Sequence, residues 1–468
     1  MNEIRQKLPK IREKRLSTLA AYHGSPEELA LELGQEDVRQ RIRTYSETTY
    51  DEIIYAVQAL GAIRSSVTII NGPSGCGAAK LESSLRNGAS PWLITNLEEN
   101  DSILGGDDKL REAIERAYRH YRPDVIFVVT TPVIAINNDD VQSVVAELSD
   151  TLGIPVVPVY AAGFKSKNPV YGYDLVYHAI AKFLLSREET DKNDRINVIA
   201  TGETKTSGII GELKAAGIPV HPLAGPVKLA DLKAAVSSKA SIALDSNDAN
   251  YLLRVLEEAY GVTSIGAAAP IGIANTGKWI LAAADAAGTG AAAEAYVARR
   301  QAASQAVLSS VDLTGKRVFV DLPPEKAFGV ADLIAELGGE VAAIAVTHTE
   351  SLHRQRLERA REAWGSAQIY IQQGQPFEKV NLLKKLQPDL YIGRSEDAAW
   401  ALQAGIPAVA VDSLDLYGYE GAGRLALTLA RRLQNTALVR YLSAGDDLPY
   451  QEGWLKKSAK WYVKQEVK

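Results

Sequence analysis

The strongest constraint on this chain is a rhythm. Short runs of β-branched and apolar residues alternate with stretches of helical spacing, and the alternation restarts twice. The first series holds Val67-Thr68-Ile69-Ile70, Val125-Ile126-Phe127-Val128-Val129 and Ile154-Pro155-Val156-Val157-Pro158-Val159, with helical stretches over 109–121 and 141–152. After a polar break over 187–195 come Ile196-Asn197-Val198-Ile199, a helix over 208–216, Ser241-Ile242-Ala243-Leu244, a helix over 251–260 and an alanine-rich helical stretch over 281–305. The third series opens at Lys316-Arg317-Val318-Phe319-Val320 and continues through Val341-Ala342-Ala343-Ile344, Gln368-Ile369-Tyr370-Ile371, Leu390-Tyr391-Ile392-Gly393 and Ala408-Val409-Ala410-Val411. Runs this uniformly apolar need cover on both faces, and intervening helices provide it when the strands are parallel. The 468 residues allow three domains of ~100–200 residues each.

The predicted fold is therefore α/β: three Rossmann-like domains with parallel sheets, preceded by a helical N-terminal arm. Residues 1–60 form the arm, 61–190 the first domain, 191–310 the second, 311–440 the third and 441–468 a tail. Two capping boxes mark helix starts in the arm, Ser25-Pro26-Glu27-Glu28 and Thr49-Tyr50-Asp51-Glu52. In sheets of this kind ligands sit at the carboxyl ends of the strands.

Several classes drop out. No stretch of about 18 apolar residues is present, so no membrane partner is expected. The first residues, Met1 to Lys7, have no apolar core of a secretory signal, which predicts a cytoplasmic protein. Formal net charge is −5 with acids and bases interspersed, which argues against a nucleic-acid partner. Dinucleotide and P-loop phosphate fingerprints, HExxH and the serine elbow are all missing. Gly202-Glu203-Thr204-Lys205-Thr206-Ser207-Gly208 lacks the Lys-Ser/Thr ending of a P-loop and reads as a strand-to-helix turn. The six histidines are scattered; His348 and His353 read as surface or satisfied core residues.

One residue stands out. Cys76 is the only cysteine, which excludes an internal disulfide and a metal site of its own. As an isolated fact it reads as a small buried hydrophobe. Its setting, Gly72-Pro73-Ser74-Gly75-Cys76-Gly77 directly after a strand, changes that. Glycines there let the backbone approach a bulky inorganic group, and amides pointing at a thiolate stabilise an iron–sulfur cluster's negative charge. Gly75 and Cys76 are the candidate cofactor-binding residues and Cys76 the candidate metal ligand; no catalytic residue is assigned.

The turn does not stand by itself. It is followed by Asn96-Leu97-Glu98-Glu99-Asn100-Asp101-Ser102-Ile103-Leu104-Gly105-Gly106-Asp107, Thr130-Thr131-Pro132-Val133 and Asn138-Asp139-Asp140-Val141. Farther on come Ala162-Gly163-Phe164 with Gly172-Tyr173-Asp174, and Leu256-Glu257-Glu258-Ala259-Tyr260-Gly261 with Pro270-Ile271-Gly272. The last stretches are Pro388-Asp389-Leu390-Tyr391-Ile392-Gly393, Gly405-Ile406-Pro407 and Gly418-Tyr419-Glu420-Gly421. In this order the series resembles the nitrogenase component 1 family, which includes molybdenum-iron protein subunits, the cofactor-assembly scaffold and dark-operative protochlorophyllide reductase subunits.

The resemblance implies three αβ domains and three cysteines per catalytic subunit, shared with a partner around an interfacial cluster. Cys76 falls on the first of these. The second falls near Trp92 and the third at Pro132, neither of which binds iron. The middle domain, where a catalytic α-type subunit holds its metallocofactor, has no cysteine. The pattern is similar to the single-cysteine β-type scaffold subunit, and Gln58-Ala59-Leu60-Gly61-Ala62 also looks β-type. A [4Fe-4S] cluster takes four ligands. The implied partners are a three-cysteine α-type subunit in a heterodimer or heterotetramer and an ATP-dependent iron protein as electron donor. An iron–sulfur metallocofactor or its precursor in the complex is also implied. The task is then cofactor assembly or reduction of an unidentified substrate. Two other readings stay open: a cluster-free structural subunit of such a complex, and a small-molecule-binding α/β module, such as a sugar or nucleotide-sugar binder.

Overall fold

The computed structural model describes residues 8–11, 18–35, 38–44, 51–78, 90–164, 166, 168, 170–186, 191–201, 206–372, 375–443 and 448–465. Three parallel sheets follow one another along the chain. The first has the order Trp92–Ile94, Ser66–Asn71, Val125–Thr130, Val156–Val159. The second runs Thr263–Ile265, Ala240–Ala243, Ile196–Ile199, Val220–Leu223. The third runs Gln368–Gln372, Glu340–Val346, Arg317–Asp321, Leu390–Gly393, Ala408–Ala410. Within each of these series all neighbouring strands pair in parallel. Every residue of Ser66–Asn71 and Val125–Thr130 is buried, as central strands between two helical layers must be.

The domains share their interiors. One apolar cluster joins Val198 and Ile242 of the second sheet to Val320 and Ile344 of the third and includes the fully buried Trp279. The Trp279 indole N–H donates to the Ala243 carbonyl at 3.2 Å, so the largest core side chain has its polar atom satisfied. A second cluster joins Phe127 and Val129 of the first sheet to Ile199 and Ala243 of the second and to Tyr251 of helix Asn250–Tyr260. The alanine-rich stretch is two helices, Ile273–Ala287 and Gly290–Leu308, separated at Gly288, whose φ of 76° ends the first.

The opening arm contains helix Pro26–Leu33, begun by Ser25, whose hydroxyl accepts from the Glu28 amide at 3.2 Å. Helix Glu52–Gly61 is capped by Asp51, which accepts from Ile53 and Ile54; Thr49 and Tyr50 lie outside the described residues. The sequence also predicts a helix over 10–19, and most of that stretch lies outside the described residues. The arm also has two short strands that helical periodicity does not announce. Ala21–Gly24 adds antiparallel to Gln368–Gln372 at the edge of the third sheet. Arg41–Arg43 pairs antiparallel with Val463–Gln465, so the tail closes on the arm as a strand. Arg43 is the rivet. Its Nε donates to Glu378 Oε1 at 2.7 Å and its Nη atoms to the carbonyls of Ala20 and Ile371, while His23 meets Glu378 Oε2 at 3.2 Å. Burial alone would raise the Glu378 carboxyl; His23 and the Arg43 guanidinium outweigh it and hold the group below the usual carboxylate range.

Candidate functional site

In the first sheet the chain enters on Ser66–Asn71, steps to Trp92–Ile94 on one side, then crosses to Val125–Thr130 on the other. The two central strands therefore send their following loops apart, which opens a crevice at their carboxyl ends. Asn71 pairs with Thr130, so both strands end level. Their next residues form the crevice: Gly72 to Gly77 from one, Thr131 and Pro132 from the other.

The turn is tied down at each end. The Gly72 N–H donates to Thr95 Oγ1 at 2.9 Å, and the Leu97 N–H to the Gly72 carbonyl at 3.1 Å. Thr131 Oγ1 donates to the Asn71 carbonyl at 2.8 Å. A β-carbon at Gly72 would lie 2.4 Å from that oxygen, so the two loops meet this closely only because residue 72 is glycine. Ser74–Gly77 is one 3₁₀ turn, and the Cys76 N–H donates to the Pro73 carbonyl at 3.0 Å.

Cys76 is half-buried and packs beside the apolar cluster that includes Tyr55, Trp92 and Ile94 at its margin. Burial pushes its thiol up; a hydrogen bond with the Thr131 side chain works the other way, and the Asp51 carboxylate adds to the rise. Gly75 is exposed, and a β-carbon there would meet nothing of this chain within 4 Å. Its φ is not positive. Neither conformation nor internal crowding demands glycine at 75.

Trp92 and Pro132 come to the same crevice. Trp92 presses its ring toward Gly77, 3.3 Å from where a β-carbon would stand. Pro132 opens helix Pro132–Asn137 and packs on Gly163, whose φ is 75°. Sequence reasoning missed Asp51 and Glu52. The capping box marked them as a helix start, but only the fold brings that start to the crevice. The Glu52 carboxylate is fully buried and accepts from the amides of Ala162 and Gly163 at 3.1 and 2.8 Å.

Large apolar side chains stand exposed on the short helices and loop around this edge: Ile103 at 79%, Leu104 at 85%, Ile136 at 72% and Phe164 at 59%. Helices Glu99–Leu104 and Pro132–Asn137 are joined there by Asn137 Nδ2 donating to the Ser102 carbonyl at 3.0 Å. The acidic run Glu98–Asp101 is the start of helix Glu99–Leu104, and Lys109 bonds Asp101 at 2.6 Å.

A family model described as nitrogenase component 1 type oxidoreductase matches residues 27–434. The chain belongs to the nitrogenase component 1 type oxidoreductases. It is 26% identical over 364 residues to the nitrogenase iron-molybdenum cofactor biosynthesis protein NifE of Methanococcus maripaludis, covering 74% of each chain. It is 24% identical over 403 residues to the nitrogenase molybdenum-iron protein alpha chain of Methanothermobacter marburgensis, covering 80% of this chain and 85% of that one. A solved structure, nitrogenase Cp1 at pH 5, shares the fold with a TM-score of 0.74 at 18% identity over 89% of this chain and 94% of that one.

This component 1 family binds iron–sulfur metalloclusters and works in complexes with partner subunits and an iron protein. Among the described residues of this member, no group of three or more His, Cys, Asp and Glu could hold a metal ion. No described helix is long and apolar enough to cross a membrane.

Among the described residues, the crevice of the middle domain does not suit a metallocofactor. Its switch point lies between Ile196–Ile199 and Ala240–Ala243, and the loops there carry Thr201, Asp245 and Asp248, with Thr201 Oγ1 3.3 Å from Asp248 Oδ2. Glu325 of the third domain faces this crevice, hydrogen-bonded by Ser246 at 3.4 Å, and Asn247 bonds His348 at 2.8 Å. Burial and the Asp245 charge raise the Glu325 carboxyl to about 7. Carboxylates without a thiolate are the wrong donor set for an anionic metal–sulfur group. His348 and His353, expected at the surface or as satisfied core residues, are both buried in this seam.

Proposed function

We propose that this chain is the one-cysteine, β-type subunit of a nitrogenase-like heteromer. It presents Cys76 to an interfacial [4Fe-4S] cluster whose other ligands come from a three-cysteine α-type partner. The complex works in a reducing cytoplasm and receives electrons from an ATP-dependent iron protein. The single observation that carries this is the placement of Cys76. It sits at the switch point of the first sheet, on a turn whose Gly75 faces away from the rest of the chain. A rim of exposed Ile103, Leu104, Ile136 and Phe164 supports a partner covering that edge. The β-type role rests on the cysteine pattern, since both relatives named above are NifE and an alpha chain.

When bound, the cluster would supply one-electron storage. This chain's own residues do the rest. Cys76 Sγ would be the ligand atom, Thr131 stands beside it with its hydroxyl proton given to the Asn71 carbonyl, and Trp92 and Pro132 occupy the places where the missing cysteines would have stood. The metallocofactor implied by the family would then be held or assembled on the partner, either for cofactor maturation or for substrate reduction.

The test is anaerobic co-purification with a three-cysteine homologue. Iron per assembly and its paramagnetic resonance signal should fall when Cys76 is replaced by alanine. Unchanged iron and an unchanged signal would overturn the ligand role. That outcome belongs to the second reading, a cluster-free structural subunit. It is favoured by one observation: burial among apolar neighbours raises the Cys76 thiol, which disfavours the thiolate.

A further inference from the structure

We propose that Glu52 is the positioning residue of the Cys76 crevice: its carboxylate holds the 161–163 loop in place as the third wall. Cys76 and Thr131 supply the other two. The consequence for a cluster rests on the reading above; the effect on the thiol itself does not.

Three elements converge on Glu52. It opens helix Glu52–Gly61 directly after the Asp51 cap. Its backbone is clamped by helix Tyr171–Phe183, where a β-carbon at Gly172 would stand 2.0 Å from the Glu52 carbonyl oxygen. Its side-chain Oε1 takes the amides of Ala162 and Gly163, just past the carboxyl end of the edge strand Val156–Val159. A buried carboxylate that accepts two adjacent amides fixes the direction of that peptide more firmly than one hydrogen bond does.

The grip is transmitted by contact. Gly163 sits so close to its neighbours that a β-carbon there would lie 2.8 Å from Pro132 Cγ and 3.3 Å from Asp51 Oδ2. Pro132 follows Thr131, whose hydroxyl donates to the Asn71 carbonyl and which lies beside the Cys76 side chain. Asp51 caps the helix with Oδ1 and acts on Cys76 through its charge. The path from Glu52 to the thiol therefore runs through the 161–163 loop, Pro132 and Thr131, with Asp51 as a parallel branch.

Glu52 is not kept for the number of its hydrogen bonds. Its other oxygen, Oε2, is buried and makes no protein hydrogen bond among the described residues. An unpaired buried acceptor is a cost, so the residue is a poor choice for stability alone. What it supplies is a single two-amide acceptor at one place, and a glutamine carbonyl supplies the same.

Because Cys76 is the only cysteine, alkylation by iodoacetamide at fixed pH reads the crevice directly in the full-length chain without its partner. Glu52→Ala frees the loop and is expected to speed alkylation about tenfold by opening access to the sulfur. Glu52→Gln keeps the acceptor and should stay near the wild-type rate. Gly163→Ala pushes the same loop away from Pro132 and should speed alkylation as Glu52→Ala does; it carries the test if Glu52→Ala does not fold. Wild-type rates in Glu52→Ala and Gly163→Ala, or equal acceleration in Glu52→Gln and Glu52→Ala, would overturn the proposal. In the anaerobic assembly, Glu52→Ala should also alter the resonance line shape while Glu52→Gln restores it. An assembly without iron, with the alkylation pattern intact, would sink the cluster reading and leave the positioning role standing.

Discussion

Replacing Glu325 with glutamine isolates the acidic seam between the second and third domains. The carboxyl is raised from 4.5 to about 7, first by burial and then by the Asp245 charge; Arg356, Ser246 and the Ala269 amide pull the other way without cancelling it. An acid raised in the folded protein keeps a proton that the unfolded chain has already released. Stability therefore falls as pH rises from about 4.5 and the loss is complete above about 7. A rise of that size corresponds to roughly 3 kcal/mol as an upper bound. The bound is not reached in full, because the side chain keeps 16% of its exposure. The groups facing the seam are Asp245, Asp248, Tyr417, His348, His353 and Arg356. The assay is thermal unfolding of the full chain at pH 5.5 and pH 8.5, wild type against Glu325→Gln. Glutamine has no proton to lose, so the variant should be less sensitive to pH and melt several degrees above the wild type at the higher pH. Identical pH dependence in the two proteins would refute the reasoning, since other carboxylates such as Asp51 and Glu52 titrate equally in both.

Other substitutions test other parts of the fold. Trp279→Ala should cost roughly 3–5 kcal/mol in urea unfolding, because it empties part of the core shared by the second and third domains. Arg43→Ala leaves Glu378 buried with one partner fewer and should cost roughly 3–5 kcal/mol, read as faster proteolysis of the arm and the C-terminal strand. Glu378 is held below the usual range, so its contribution is present at neutral pH and is lost on acidification through its lowered value; arm protection should fail on the acid side and not on the alkaline side. Gly172→Ala places a methyl group against the Glu52 carbonyl and should destabilise by at least roughly 1–3 kcal/mol, measured by chemical unfolding.

The architecture was legible along the chain. Apolar runs such as Val67-Thr68-Ile69-Ile70 and Val125-Ile126-Phe127-Val128-Val129 have no solvent-facing side, and only parallel strands between helical layers satisfy them. The sequence also singled out Cys76, because a lone cysteine in a glycine-rich turn after a strand is visible without coordinates. The strands Ala21–Gly24 and Arg41–Arg43 escaped notice because each is three or four residues long and is held by pairing with distant partners, Gln368–Gln372 and Val463–Gln465. Tertiary structure alone decided which residues surround the thiol. Asp51 and Glu52 begin a helix before the first sheet, Thr131 follows its third strand, and Gly163 follows its fourth. They meet because crossover connections return each strand's carboxyl end to one edge, a long-range closure that no local pattern along the chain encodes.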